Sequence, residues 1–248
     1  MIDTAFTRTF GLKHAIALAP ELGLAPGPLA AAVADAGGLG LIGCGENNAG
    51  WIAEEFSKTG DVAVGCGLSC RALEANPARL EAALRGRPRA VYLHDGDPRP
   101  HAAKLHVARV RMICEVQTLD DAKRAVAADA HVIVARGADA GGQPAPRTMF
   151  NLVPELAAFI RQEADDMILL AYGGVIDART LAAVLTLGAD GAMMSTRLIE
   201  SAEGMALQGP RSQGMAMVQD KPPVTEILTR ITAQAEKVIT HSKRAVIP

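Results

Sequence analysis

The feature that most constrains the fold of this chain is a repeated alternation between short apolar runs and alanine-rich stretches with helical spacing. A helical stretch follows each of the runs HAIALAP, LGLIG, DVAVGCG, AVYLHDG, VRMICEV, HVIVARG, MILLAYGG and GAMMSTRL. Strands that are buried on both faces lose the alternating pattern of a half-exposed strand. A repeated strand–helix order favours parallel pairing. The sequence therefore predicts an α/β protein built on a parallel sheet.

The number of units and the chain length together narrow the architecture. Eight strand–helix units in 248 residues match the usual size of a (β/α)8 barrel, the TIM barrel. A doubly wound open sheet is the alternative, but no GxGxxG motif follows an early strand, so the dinucleotide-binding fingerprint is missing. We therefore predict a single barrel domain over residues 1–248.

The composition fits such a core and narrows the class of partner. Aromatic residues make up only 3% of the chain, so the core must consist mainly of Ala, Val, Leu and Ile. A formal net charge of -2, without a long Lys/Arg cluster, does not indicate a polyanion-binding surface. The chain begins without a signal-peptide pattern and contains no apolar run of bilayer length. We expect a cytoplasmic protein that acts on a small molecule and binds neither nucleic acid nor membrane.

The four cysteines do not form a recognisable metal-binding pattern. Cys66 and Cys70 have CxxxC spacing, but no second pair or histidine cluster completes a zinc site. We interpret these two residues, together with Cys44 and Cys114, as small core residues in a reduced protein. No metal site is predicted.

Two of the apolar runs end in a pattern typical of a phosphate site. Active sites of parallel barrels lie at the carboxyl ends of the strands, and strands 7 and 8 commonly hold a phosphate. Here YGGV ends the seventh run and STRL ends the eighth. Gly173 and Gly174 would let backbone amides approach an anion, beside Ser195 and Thr196. A simple strand-to-helix turn is the alternative interpretation of the glycine pair.

Four segments, in order along the chain, resemble one known family. They are LAPELGLAPGPLAAAVADAGGLGLIG, VYLHDGDP, RGADAGGQ and AYGGVIDARTLAAVLTLGADGAMMSTRLIESAE. This set is similar to nitronate monooxygenases, the flavin enzymes once called 2-nitropropane dioxygenases, and it extends from about residue 12 to residue 203. FMN-dependent enoyl-acyl carrier protein reductases share much of the pattern.

The resemblance implies a barrel that binds FMN and oxidises alkyl nitronates with O2. The phosphate would lie near the glycine pair, and the isoalloxazine would lie near Ala19, Pro20 and the loop 141–143. The cofactor-binding residues implied by the resemblance are Ala19, Pro20, Gln117, Gly141, Gly142, Tyr172, Gly173, Gly174, Met194, Ser195 and Thr196.

This chain departs from the family pattern at its central position. The catalytic histidine of the family falls at Gln143, and an amide does not titrate near neutral pH, so Gln143 cannot be a general base. It can donate a hydrogen bond to the substrate or to the flavin edge, or it can be a neutral spacer. His94, at the end of the fourth run beside Asp95, is a candidate replacement base. A structural, hydrogen-bonded histidine is the alternative, because neighbouring residues on a strand point to opposite faces.

Further departures concern the surroundings of the site. Tyr172 replaces a small residue before the glycine pair, and Ser195 replaces a glycine. The C-terminal region after residue 203 is shorter than in typical relatives, so we expect an open pocket or one closed by a second subunit in a homodimer. Three acidic residues near strand ends are further candidate bases, although each is expected to anchor a loop instead: Glu21, Glu115 and Asp139. We expect Arg136 to form a salt bridge, and pairing with an anionic substrate is the alternative.

The sequence thus predicts an FMN-dependent, monooxygenase-like oxidoreductase that oxidises a small nitronate-like or otherwise acidic substrate with O2, with Gln143 and His94 as its candidate catalytic residues. Three alternatives stay open. One is an FMN-dependent NAD(P)H reductase of an activated C=C bond, and another is a non-redox phosphate-binding lyase or isomerase. The third is a flavin-binding protein without catalytic activity.

Overall fold

A computed structural model of the protein describes residues 2–141, 145–204 and 216–246, with side chains as far as residue 241 in the last range. Eight parallel strands form one sheet. The strands are β1 Ile16–Leu18, β2 Leu41–Gly45, β3 Gly65–Ser69, β4 Ala90–His94, β5 Arg111–Val116, β6 Val132–Arg136, β7 Ile168–Tyr172 and β8 Gly191–Met194. Each of them coincides with one of the eight apolar runs.

Helices separate the strands and cover the outside of the sheet. They are α1 Ala5–Phe10, α2 Gly27–Asp35, α3 Ala49–Ser57, α4 Cys70–Ala75, α5 Ala78–Arg85, α6 Arg99–Val107, α7 Leu119–Ala127, α8 Met149–Glu163, α9 Ala178–Thr186, α10 Thr196–Ile199 and α11 Val224–Val246. None of the helices in the described ranges is both long and apolar enough to cross a bilayer.

The sheet curls into a nearly closed barrel. Its strand order is β1-β8-β7-β6-β5-β4-β3-β2, so β1 and β2 are the two ends that must meet. They meet at a parallel bridge between Ala17 and Leu39. The Leu18 amide donates to the Leu39 carbonyl at 2.9 Å, and the Leu39 amide donates to the Ile16 carbonyl at 3.0 Å. We call this junction the β1–β2 seam. The predicted (β/α)8 barrel is confirmed.

Alternate residues of the strands form two apolar layers, as expected for side chains that alternate across a sheet. The inner layer fills the barrel and includes Tyr92, Val134, Leu170 and Met193. The outer layer packs under the helices and contains all four cysteines, each of them buried. This confirms the interpretation of the cysteines as core residues.

Helix α1 closes the bottom of the barrel, opposite the carboxyl ends of the strands. Phe6 and Phe10, one helical turn apart, are both buried against the inner layer. Thr4 and Thr7 form a capping box at the start of the helix, and Gly11 ends it with φ of 57°. The candidate site lies at the other end of the barrel, where the strands have their carboxyl ends.

Candidate active site

A cavity of about 220 Å³ lies at the carboxyl end of the barrel, between the ends of β7 and β8 and the loops after β1 and β6. Six residues predicted from the sequence line it: Gly141, Tyr172, Gly173, Gly174, Ser195 and Thr196. The two glycine-bearing strand ends are therefore brought together around one space, as the YGGV and STRL segments indicated.

The backbone at the end of β7 adopts a conformation that requires glycine. Gly173 has φ of 129° and Gly174 has φ of 66°, both outside the range that residues with a side chain readily adopt. A Cβ atom on Gly173 would lie 2.7 Å from the amide nitrogen of Ala140. The close approach of the two chains leaves polar backbone groups next to the cavity. Across the cavity, the Ser195 side chain makes no capping bond to α10.

Tyr172 and Glu21 are joined across the mouth. The Tyr172 hydroxyl donates to Glu21 Oε1 at 2.6 Å, although the two residues are 151 positions apart in the chain. Tyr172 is 7% exposed. Burial, together with the nearby Glu21 carboxylate, raises the pKa of Tyr172 well above its ordinary value. The tyrosine is therefore a permanent hydrogen-bond donor to Glu21 at neutral pH.

A second cluster of polar side chains lies inside the barrel around Glu115. The Tyr92 hydroxyl donates to Glu115 Oε2, and Arg136 Nε lies 3.8 Å from the same oxygen. Arg136 also donates to the Gly141 carbonyl at 2.6 Å, so it ties the end of β6 to the following loop. Arg136 and Glu115 form the ion pair expected for Arg136, and both are largely buried.

His94 lies at the end of β4, on the same side of the strand as Tyr92, and the two rings are 5.8 Å apart. Burial lowers the pKa of His94, so the imidazole is neutral at neutral pH. The neighbouring Asp95 pairs elsewhere: it accepts from Ser69 Oγ at 3.3 Å and lies 3.3 Å from Arg71 Nε. His94 does not line the cavity between β7 and β8.

The remaining predicted residues do not line this cavity. Ala19 continues the pairing of β1 with β8, because its amide donates to the Met194 carbonyl at 2.9 Å. Pro20 lies across β3, where a Cβ atom on Gly67 would come within 2.6 Å of the Pro20 ring. Gln117 Nε2 lies 3.5 Å from Glu115 Oε1. The side chain of Met194 is buried in the outer layer, under the helices.

Two predicted residues, Gly142 and Gln143, lie outside the described residues. The structure places the loop on either side of them. Gly141 lines the cavity, and the Asp139 carboxylate accepts from the Met149 amide at 3.1 Å, at the first turn of α8. Asp139 thus anchors this loop, as expected.

Seven residues that line the cavity were not among the predicted site residues: Glu21, Asp139, Ala140, Val175, Ile176, Met193 and Met217. Two of them carried a usable signal. Glu21 directly follows the apolar run HAIALAP. Met193 alternates with Met194, so the inward position on β8 could have been assigned to Met193 once the register was known. Met217 lies far along the chain, and no local pattern places it at the mouth.

No cluster of three or more histidine, cysteine or acidic side chains suited to a metal ion occurs in the described part of the chain. The arrangement instead offers backbone amides beside glycines, one serine hydroxyl and a tyrosine-bound carboxylate. Such a site can bind a phosphate-bearing ligand at one end and exchange a proton with a substrate at the other.

Comparison with known proteins assigns the chain to a family. The family described as nitronate monooxygenase matches residues 53–240. A nitronate monooxygenase of Pseudomonas aeruginosa is 29% identical, over 86% of this chain and 75% of the relative. A (3aS,4S,5R,7aS)-5-hydroxy-7a-methyl-1-oxo-octahydro-1H-indene-4-carboxyl-CoA dehydrogenase of Rhodococcus jostii is also 29% identical, over 82% of this chain but only 56% of the relative.

Among solved structures, FabK from Thermotoga maritima shares the whole fold. It superimposes with a TM-score of 0.89 at 19% identity, and the match covers 100% of both chains. At that identity the likeness shows a common barrel. The family match over residues 53–240 of the 248-residue chain goes further than the fold, and the chain belongs to the nitronate monooxygenase family of oxidoreductases.

Proposed function

We propose that the protein is an FMN-dependent oxidoreductase that oxidises a small, acidic substrate of the nitronate type with O2. The observation that carries this proposal is the cavity bounded by Gly173, Gly174 and Ser195 at the ends of β7 and β8, in a chain of the nitronate monooxygenase family. Strands 7 and 8 are where parallel barrels commonly bind the phosphate of a ligand.

The residues present fit the phosphate end of FMN. A Cβ atom on Gly173 would collide with Ala140, so only glycine leaves the backbone open at this point. Ser195 adds a hydroxyl that does not cap α10. The cavity volume of about 220 Å³ is below the roughly 300–1,000 Å³ of sites that enclose a whole drug-sized ligand. We therefore assign the phosphate to the cavity and the flavin ring to the open mouth beside it.

We assign the cofactor contacts as follows. Gly173, Gly174, Ser195 and Thr196 would hold the phosphate, whereas Ala19, Pro20, Gln117 and Tyr172 would border the ring with Gly141 and Gly142. Met194 would contribute through its backbone. A bound flavin supplies the redox chemistry, that is, acceptance of electrons from the substrate and their transfer to O2.

The chain's own residues orient the substrate. Arg136 holds the Gly141 carbonyl at 2.6 Å and thereby fixes one side of the loop that carries Gln143. We propose that Gln143 donates a hydrogen bond to a substrate oxygen, because an amide can donate at every pH but cannot take up a proton. A nitronate is already deprotonated, so its oxidation needs no base at this position.

The first test is the identity of the chromophore. We expect the purified protein to show a flavin absorption spectrum, and mass spectrometry of the released chromophore to identify FMN. We then expect the holoenzyme to consume O2 rapidly with ethyl nitronate. Under anaerobic conditions, reduction of the bound flavin by NADPH should be slower than this turnover. Fast anaerobic reduction by NADPH, without turnover of nitronate, would instead indicate a reductase of activated C=C bonds.

A colourless protein that does not take up added FMN would overturn the proposal. The cavity would then be that of a phosphate-binding barrel without redox activity. Calorimetric titration with inorganic phosphate would show whether the glycine-lined cavity binds an anion in that case.

A further inference from the structure

We propose that Glu21 is the proton acceptor of the barrel mouth, and that the site admits its substrate as the neutral, carbon-protonated acid in preference to the anion. This inference rests on the proposed function and deepens it, because it names the form of the substrate and the residue that activates it.

Glu21 is held rigidly at the point where a substrate would enter. Its amide donates to the Ala19 carbonyl at 2.9 Å, and its carbonyl accepts from the amides of Leu24 and Ala25, each at 3.1 Å. The side chain lines the cavity, and Tyr172 binds Oε1 at 2.6 Å. The main chain and one carboxylate oxygen are thus fixed, and Oε2 is the oxygen available to a substrate proton.

The other charged groups of the mouth have different partners. Glu115 is bound by Tyr92 and lies 3.8 Å from Arg136, which donates in turn to the Gly141 carbonyl. Asp139 accepts from the start of α8. Glu21 is therefore the lining carboxylate whose described side-chain partner is a neutral hydroxyl. Arg136 is engaged with Glu115, so among the described groups an anionic substrate beside Glu21 would meet a like charge.

A neutral nitroalkane avoids that repulsion. Its α C–H bond breaks, the proton goes to Glu21 Oε2, and the electron pair of the bond moves into the nitro group to give the nitronate. The total charge of the pair stays at minus one, because the carboxylate becomes neutral as the substrate becomes anionic. The step needs no oxidant, and it delivers the nitronate directly to the place where its oxidation is proposed.

Neither of the two candidate catalytic residues, Gln143 and His94, is as well suited to accept this proton. Gln143 has no titratable group. His94 is neutral, but it lies beside Tyr92 and outside the lining of the cavity. Tyr172 is a positioning residue in this scheme, since its raised pKa keeps it a donor to Glu21 and prevents it from accepting the proton.

The test compares two substrates in the holoenzyme: nitroethane, which still carries its proton, and ethyl nitronate, which has lost it. General-base catalysis contributes about 10²–10⁴-fold. We therefore expect Glu21→Gln to lower kcat/KM for nitroethane by about a hundredfold or more, while kcat/KM for ethyl nitronate is kept or raised. Glu21→Asp should restore part of the nitroethane activity, and Tyr172→Phe should lower it less than Glu21→Gln does.

Glu54→Gln is the matched control, because Glu54 is an exposed acid on α3 whose described partner is Lys58. We expect this variant to leave kcat/KM unchanged for both nitroethane and ethyl nitronate. The inference would be overturned if Glu21→Gln lowered kcat/KM equally for both substrates. It would also be overturned if His94→Gln abolished nitroethane activity while Glu21→Gln kept it.

A readout without redox chemistry separates this inference from the proposed function. In D2O without oxygen, the wild-type protein should speed the exchange of the α protons of nitroethane, followed by proton NMR, and Glu21→Gln should not. Exchange without any flavin or oxidation would contradict the proposed function and support a proton acceptor. Oxidation of ethyl nitronate without catalysed exchange of the nitroethane α protons would support the proposed function and contradict the inference about Glu21.

Discussion

At the scale of single residues, Gly173 combines a positive φ with a close backbone contact, and both disfavour a side chain there. We expect Gly173→Ala to lower the free energy of unfolding by about 2–5 kcal/mol, because it combines a forbidden φ with a collision at Ala140. Urea unfolding measures this, and the variant should also take up less FMN. Gly60→Ala is the control: Gly60 has φ of 60° but nothing within 4 Å, so about 1–2 kcal/mol is expected.

The residues of the mouth show which part of a site a sequence can predict. Gly173, Gly174, Ser195 and Thr196 were predictable, because glycines and hydroxyls directly follow apolar runs. The bond between Tyr172 and Glu21 was not, because it depends on which strand ends face each other across the barrel. Glu21 was expected to anchor a loop: its main chain makes the loop contacts, and its side chain accepts from Tyr172.

At the scale of elements, α2 depends on a side chain of α3 for its first turn. Glu55 is 4% exposed, and its Oε2 accepts from the Gly27 amide at 2.7 Å, where Pro26 offers no side-chain cap. A carboxylate at this end also interacts favourably with the helix dipole. We therefore expect Glu55→Ala to lower the free energy of unfolding by about 1–3 kcal/mol.

Glu54→Ala is the comparison for that experiment. Glu55 and Glu54 both pair with Lys58 Nζ, at 2.6 and 2.8 Å, but the Glu54 side chain is 62% exposed. An exposed pair contributes little, so a change within about 0.5 kcal/mol is expected in urea unfolding. If both variants lowered the free energy of unfolding equally, Glu55 would contribute through its pair with Lys58 and not through the start of α2.

The elements that were missed from the sequence are short. Helix α1 has six residues, and Phe6 and Phe10 are its apolar positions on the buried face, too few to establish a helical period. Helix α4 starts at Cys70, directly after β3, whereas the helical spacing of the segment NPARLEAALRGR predicts only the later helix α5. The strands were predictable because burial on both faces makes each of them a continuous apolar run.

At the scale of the whole molecule, four histidines give stability a common dependence on pH. Burial lowers the pKa of His14, His94, His101 and His131. Below about pH 6.5 the unfolded chain binds protons that the folded chain does not. The free energy of unfolding should therefore fall as the pH is lowered from 7.5 to 5.5. Urea unfolding at several pH values measures this fall.

His14→Gln should make that dependence shallower. The amide can keep a bond to Thr232, which lies 2.8 Å from His14 Nδ1 and joins the approach to β1 with α11. Asp190 acts in the opposite sense, because burial raises its pKa and so favours the folded state at acid pH. A fall in stability that is just as steep without His14 would assign the effect to other groups.

The β1–β2 seam is the place where we expect the barrel to open locally most often. Opening the ring there disrupts the bridge between Ala17 and Leu39, whereas opening it between β6 and β7 would break a ladder of five residue pairs. Native-state hydrogen exchange should therefore find the amides of Leu18 and Leu39 less protected than those of Val134 and Leu170. Because β1 leads directly into Pro20 and Glu21, each such opening would also widen the mouth, and ligand entry and release would follow the exchange rate at the seam.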